Sequence, residues 1–133
     1  MIFVDSSVWI DYFNGNKSWQ TDQLDQLLGE ELIIIGDIVL AEVLQGFRNE
    51  KDFENAKKAL SLLPCPNLCG IEIAIKSAVN FRTLRKKGIT IRKTIDMIIG
   101  TFCIENSHTL LHDDKDFELL VKHLKLKVLR IKS

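Results

Sequence analysis

Three short apolar runs constrain this chain more than any other feature: Ile2-Phe3-Val4, the β-branched stretch Leu32-Ile33-Ile34-Ile35, and Thr109-Leu110-Leu111. An apolar run without polar alternation marks a strand covered on both faces. Each run is followed by residues at helical spacing, and short strands alternating with helices predict a parallel sheet between two layers of helices, an α/β/α sandwich with a Rossmann-like sheet. All apolar runs fall far below the ~18 residues of a membrane span, so no transmembrane helix is expected. In open parallel sheets the ligand site lies at the carboxyl ends of the strands. Which residues the chain places there is the functional question.

Between the strands, Ser6 or Ser7 is positioned to cap a helix carrying Val8, Trp9, Tyr12 and Phe13. Amphipathic spacing predicts a helix over 21–28 and a buried strand over 31–36. Asp37 caps a helix to about residue 47, and Asp52 opens another to residue 62. After the Pro64-Cys65-Pro66 break, one long helix is expected over 70–87, stopping at Gly88. Helices over 94–105 and 116–124 and a closing strand over 127–131 complete the reading. With no repeat and no linker, residues 1–133 read as one domain.

At 46% apolar and 27% charged residues the chain is neither disordered nor low-complexity. Its formal net charge of zero conceals a division. Residues 1–72 hold twelve acids and five bases, residues 73–133 six acids and thirteen bases. No acid lies between Glu72 and Asp96, whereas Lys76, Arg82, Arg85, Lys86, Lys87, Arg92 and Lys93 all do. That window suits phosphates, or it is a solvated helix face. Three cysteines, an odd number, read as thiols of a reducing compartment. The start of the chain lacks the pattern of a secretory signal, and a cytoplasmic location is expected. Cys65, Cys69, His108 and His112 superficially resemble a zinc set, but His108 and His112 flank a strand that separates them by roughly 13 Å.

Certain carboxylates are out of place. Glu42 interrupts the apolar helix Ile38-Val39-Leu40-Ala41-Glu42-Val43-Leu44, and Asp96 interrupts Thr94-Ile95-Asp96-Met97-Ile98-Ile99. Asp5 follows the first strand, and Asp113, Asp114 and Asp116 follow the strand 109–111. Separate explanations exist, as helix caps or as salt bridges. Acids gathered at one sheet edge would nevertheless repel one another unless a cation sat among them. An all-oxygen set suits Mg²⁺ or Mn²⁺, and such an ion can activate water against a phosphodiester.

Four segments also carry a family likeness. They are Asp5-Ser6-Ser7-Val8-Trp9-Ile10, Glu42-Val43-Leu44-Gln45-Gly46, Thr94-Ile95-Asp96-Met97-Ile98-Ile99-Gly100, and Leu110-Leu111-His112-Asp113-Asp114-Lys115-Asp116-Phe117. In this order and spacing the chain resembles the PIN domain over essentially its whole length, and among PIN domains the VapC-type toxin ribonucleases of bacterial toxin–antitoxin pairs. The resemblance implies an endoribonuclease, often dimeric, that uses Mg²⁺ or Mn²⁺ and leaves a 5′-phosphate and a 3′-hydroxyl. It implies Asp5, Glu42, Asp96 and Asp114 as the catalytic acids. Asp5, Asp96 and Asp114 would ligate the metal, with Glu42 and Asp116 reaching it through water. Ser6 would assist, and Arg85, Lys86, Lys87 and Arg92 are candidate RNA contacts. A structured RNA such as transfer RNA, translation inhibition and a small VapB-like antitoxin with a basic tail are implied as well. Trp9, Tyr12 and Phe13 either stack on bases or pack in the interior. The competing functions are a phosphoacceptor or phosphatase-like domain, which lacks its Asp-x-Asp pair here, and a non-catalytic binding module of the same fold.

Overall fold

The computed structural model describes residues 1–30 and 32–131. In chain order the elements are β1 (Ile2–Val4), α1 (Ser6–Asn14), α2 (Trp19–Leu28), β2 (Ile33–Ile34), α3 (Asp37–Gln45), α4 (Glu50–Leu60), α5 (Ile71–Lys86), α6 (Thr94–Glu105), β3 (Thr109–Leu111) and α7 (Lys115–Leu124). The strands form one parallel sheet in the order β2-β1-β3. Successive strand residues point to opposite faces, and Phe3, Val4, Ile33, Ile34, Leu110 and Leu111 are all buried. Both faces of the sheet are therefore covered, as the apolar runs require. On the helical side, α1 packs on α2 and α3 and α3 on α4, while α6 packs on α5, α7 and β3. The result is the expected α/β/α sandwich.

Helices 94–105 and strand 109–111 fall where the sequence places them, and α5 ends at the left-handed Gly88, with φ 79°. Other boundaries differ for local reasons. Helix α2 starts at Trp19, two residues before 21, behind a capping box of Ser18 and Thr21, and α3 has Gly36 as its cap, so Asp37 stands inside its first turn. The cap of α1 is Asp5, whose carboxylate accepts from the Ser7 N–H, so neither Ser6 nor Ser7 is the cap. Asn49 starts α4 three residues ahead of Asp52, because its side chain accepts from the N–H groups of Lys51 and Asp52. The expected strand over 127–131 shrinks to one parallel bridge between Val128 and Leu110. Alternate residues of a strand turn their peptide groups to opposite sides. Thr109 and Leu111 bond toward β1, which leaves Leu110 alone to bond Lys127 and Leu129. The start of the expected strand 31–36, Glu31, lies outside the described residues.

Candidate metal centre

The carboxyl ends of β1 and β3 lie side by side, since Val4 pairs with Leu111 and the Asp5 N–H donates to the Leu111 carbonyl at 3.0 Å. Asp5 and the segment His112–Lys115 thus leave the sheet together. Helix α6 reaches the same edge through a close approach to α7. A Cβ on Gly100 would overlap the end of the Leu120 side chain, so glycine lets the buried Leu120 lie directly against α6. Residues four apart share a helix face. One turn earlier on those two faces stand Asp96 and Asp116. One carboxylate oxygen each from Asp96, Asp114 and Asp116 lies within 4.8 Å of the others.

The electrostatics of this cluster are unfavourable without a cation. Asp96 is only 5% exposed, and its Oδ2 has no hydrogen-bond partner. Its carboxyl is pushed up to about 7, first by burial, then by the charges of Asp5 and Asp114, with Lys93 opposing and Asp116 adding. Burial also raises Asp5, and the hydroxyl of Ser7, donating at 2.8 Å, opposes it. Burial and then the charge of Asp5 raise Glu42, partly offset by the Ser6 hydroxyl and Lys93. Glu42 Oε1 is buried without a partner. Neither Asp5 nor Glu42 belongs to the group within 4.8 Å: Asp5 acts on Asp96 by its charge, and Glu42 is linked only to Asp5. A divalent cation would relieve the repulsion within the trio, and the orphaned Asp96 oxygen in an all-carboxylate set fits a hard ion bound by oxygen.

The family model for the PIN domain matches residues 2–122. The chain belongs to the PIN domain family. Curated relatives include the VapC ribonuclease Mb1587 of Mycobacterium bovis and ribonuclease VapC11 of Mycobacterium tuberculosis, each 26% identical over 124 residues, which is 92% of this chain and 92% of theirs. Solved structures with the same fold include VapBC2 from Rickettsia felis bound to a promoter DNA fragment, at TM-score 0.74 and 22% identity over 99% of this chain and 100% of that one. FitAcB from Neisseria gonorrhoeae matches at TM-score 0.71 and 17% identity, covering 98% and 97%.

In this PIN domain the three acids of the last motif separate cleanly. Asp113 is exposed, whereas Asp114 and Asp116 both enter the cluster. Asp114 caps α7, with its Oδ1 accepting from the Asp116 N–H at 2.9 Å. Asp116 faces Arg92, whose Nε is 3.8 Å away. Arg92 and Lys93 thus end the basic window at the acids, while Arg85, Lys86 and Lys87 are exposed at the end of α5. Trp9 is 1% exposed and stacks on Phe13 at 6.0 Å. It packs in the interior and is not available to stack on a base. Among the described residues, no group containing cysteine or histidine has metal-ligand spacing.

His112, weighed above only as half of a zinc pair, bonds on both sides instead. Its Nε2 meets Glu118 Oε2 at 2.8 Å, and its Nδ1 accepts from the Asp114 N–H at 3.0 Å. Glu118 in turn pairs with Arg130 at 2.7 Å, and that guanidinium, with His112, holds the Glu118 carboxyl below its ordinary range. Residue types at these positions give no hint of the network. Only hydrogen-bond directions reveal it.

Proposed function

We propose that this PIN domain is a divalent-metal-dependent endoribonuclease and the toxin of a toxin–antitoxin pair. The observation that carries the reading is Asp96. A buried carboxylate with a bare oxygen, in company with Asp114 and Asp116, has no structural use and a direct one as a cation ligand. The naming of curated relatives as VapC ribonucleases supports RNA as the substrate, and the solved VapBC and FitAcB structures share the fold.

Asp96, Asp114 and Asp116 would hold the ion, Mg²⁺ with Mn²⁺ as substitute, and Asp5 and Glu42 would bind its waters or ligate it directly. When bound, the ion supplies Lewis-acid activation of water and neutralises charge on the phosphodiester. Arg92 and Lys93, beside the acids, orient a backbone phosphate, and Ser6 is placed to donate to Glu42 or to substrate. The basic end of α5 guides a structured RNA such as transfer RNA toward the cluster, and its cleavage stops translation. A basic side chain of a small VapB-like antitoxin would satisfy the same carboxylates and exclude the ion. No helix among the described residues is long and apolar enough to cross a membrane. We place the protein in the cytoplasm, as a single domain over residues 1–133 that acts as a homodimer.

The test is end-mapping of total RNA after induction, beside an Asp96→Asn control and with the neighbouring open reading frame present or absent. Discrete new 5′-phosphate ends that vanish in the control, and in the presence of the neighbour, are expected. Identical RNA ends with and without Asp96 would end the nuclease reading.

A further inference from the structure

Asp114 enters the acidic cluster from the turn between β3 and α7, and its backbone N–H donates to the His112 side chain. We propose that His112 is a positioning residue for the metal ligand Asp114, acting as a neutral imidazole that fixes the Asp114 peptide from one side while Glu118 fixes the ring from the other. The proposal rests on the metal-centre reading above.

The bond directions define the tautomer. A backbone N–H can only donate, so Nδ1, which receives the Asp114 N–H at 3.0 Å, carries a lone pair and no hydrogen. The ring hydrogen is then on Nε2, which donates to Glu118 Oε2 at 2.8 Å. Glu118 is held by Arg130 at 2.7 Å, and the ring packs on the fully buried Phe117, centroids 5.2 Å apart. With its side chain 9% exposed, the imidazole has little freedom to turn.

A side chain that accepts from the N–H two residues on closes a tight turn, the usual work of Asn or Asp. His112 does it here and adds a second anchor that the shorter residues lack. As the cap of α7, Asp114 has an N–H outside the helical ladder, which His112 satisfies. At its other end, Asp114 Oδ1 is tied to the Asp116 N–H at 2.9 Å. Both ends of the ligand are fixed before any ion arrives. Partners that orient a ligand in this way commonly change metal affinity or activity by about 10–100-fold when removed.

The experiment is Mn²⁺ titration of the purified full-length chain by calorimetry, with thermal melting of every variant and with kcat and KM on RNA as a second readout. His112→Leu has bulk but no acceptor, and Mn²⁺ affinity should fall roughly tenfold or more. In His112→Asn the amide oxygen stands close to where Nδ1 stood, and most of the affinity should return. Both variants should differ mainly in kcat, with KM little changed, because Asp114 and not the RNA contact is disturbed. If the leucine variant does not fold, His112→Gln, with its amide one carbon too far for the turn, takes its place against His112→Asn. Equal Mn²⁺ affinity in the wild type, the acceptor-free variant and His112→Asn would overturn the positioning role and leave the metal reading intact. So would a folded His112→Asn that binds as weakly as the leucine or glutamine variant. A wild-type chain that takes up no Mn²⁺ would overturn both.

Discussion

Asp37 and Asp96 both occupy the first turn of a helix, α3 and α6 respectively, yet they serve different ends. Asp37 Oδ1 accepts two backbone N–H groups, from Ile38 at 2.8 Å and from Leu68 at 3.0 Å. It ties α3 to the segment after Pro66 and is chemically at rest. Asp96 has an oxygen with no partner and carboxylates for neighbours. A place in the first turn of a helix therefore does not by itself mark a reactive acid. The distinguishing feature is what remains unsatisfied after the fold has formed.

The largest contrast is expected in catalysis. Asp96→Asn should lower RNA cleavage by at least ~100-fold and abolish tight Mn²⁺ binding, while Asp37→Ala should leave the specific activity of the folded fraction near the wild-type value. A cleavage assay on one defined RNA compares them directly. Comparable losses in both variants would erase the distinction drawn here.

Stability should change in the opposite sense. Asp37→Ala leaves two backbone donors without their acceptor and should cost about 1–3 kcal/mol in urea unfolding. Asp96→Asn removes a disfavoured buried charge, so the metal-free variant should be more stable than wild type at pH 8, by on the order of 1–2 kcal/mol.

The pH dependence of that gain follows from the raised carboxyl. Asp96 titrates near 3.8 when unfolded and at about 7 when folded, so between those values the native state binds the extra proton. Stability of the metal-free wild type due to this group is then full below about pH 4 and is lost as pH rises through 7. Asp96→Asn should remove this slope, and its advantage over wild type should vanish near pH 4. Adding Mn²⁺ at pH 6 should release more protons than at pH 8.5. Absence of that difference would show Asp96 already ionised in the free protein.

The smallest effect concerns the exposed basic end of α5. Reversing Arg85, Lys86 and Lys87 to glutamate should weaken RNA binding several-fold at low salt and flatten its salt dependence, with Mn²⁺ affinity unchanged. An unaltered salt slope would assign the end of α5 to plain solvation.

Much of this arrangement is legible in the chain itself. Glu42 and Asp96 stand out because each interrupts an apolar helix, and α6 and β3 are legible because apolar periodicity fills them from end to end. The cap of α4 is not, since Asn49 and Asp52 are equally good capping types and only the fold decides between them. Strand 127–131 is over-read because its composition is right while β3 offers it a single residue. His112 escapes for a deeper reason: imidazole chemistry is ambiguous until its two nitrogens have partners, and those partners come from the turn and from the next helix.

The hydrogen atom that stands in for a side chain at Gly100 has a consequence for the spacing of the carboxylates. The apolar contact with Leu120 and the acids one turn away belong to the same two rigid helices, so the first works as a gauge for the second. A larger residue at position 100 would have to turn the buried Leu120 side chain aside or shift the helices, and any shift would reach the carboxylates one turn away. The spacing of the three carboxylates is in that sense tied to the core, by an atom that is missing from it.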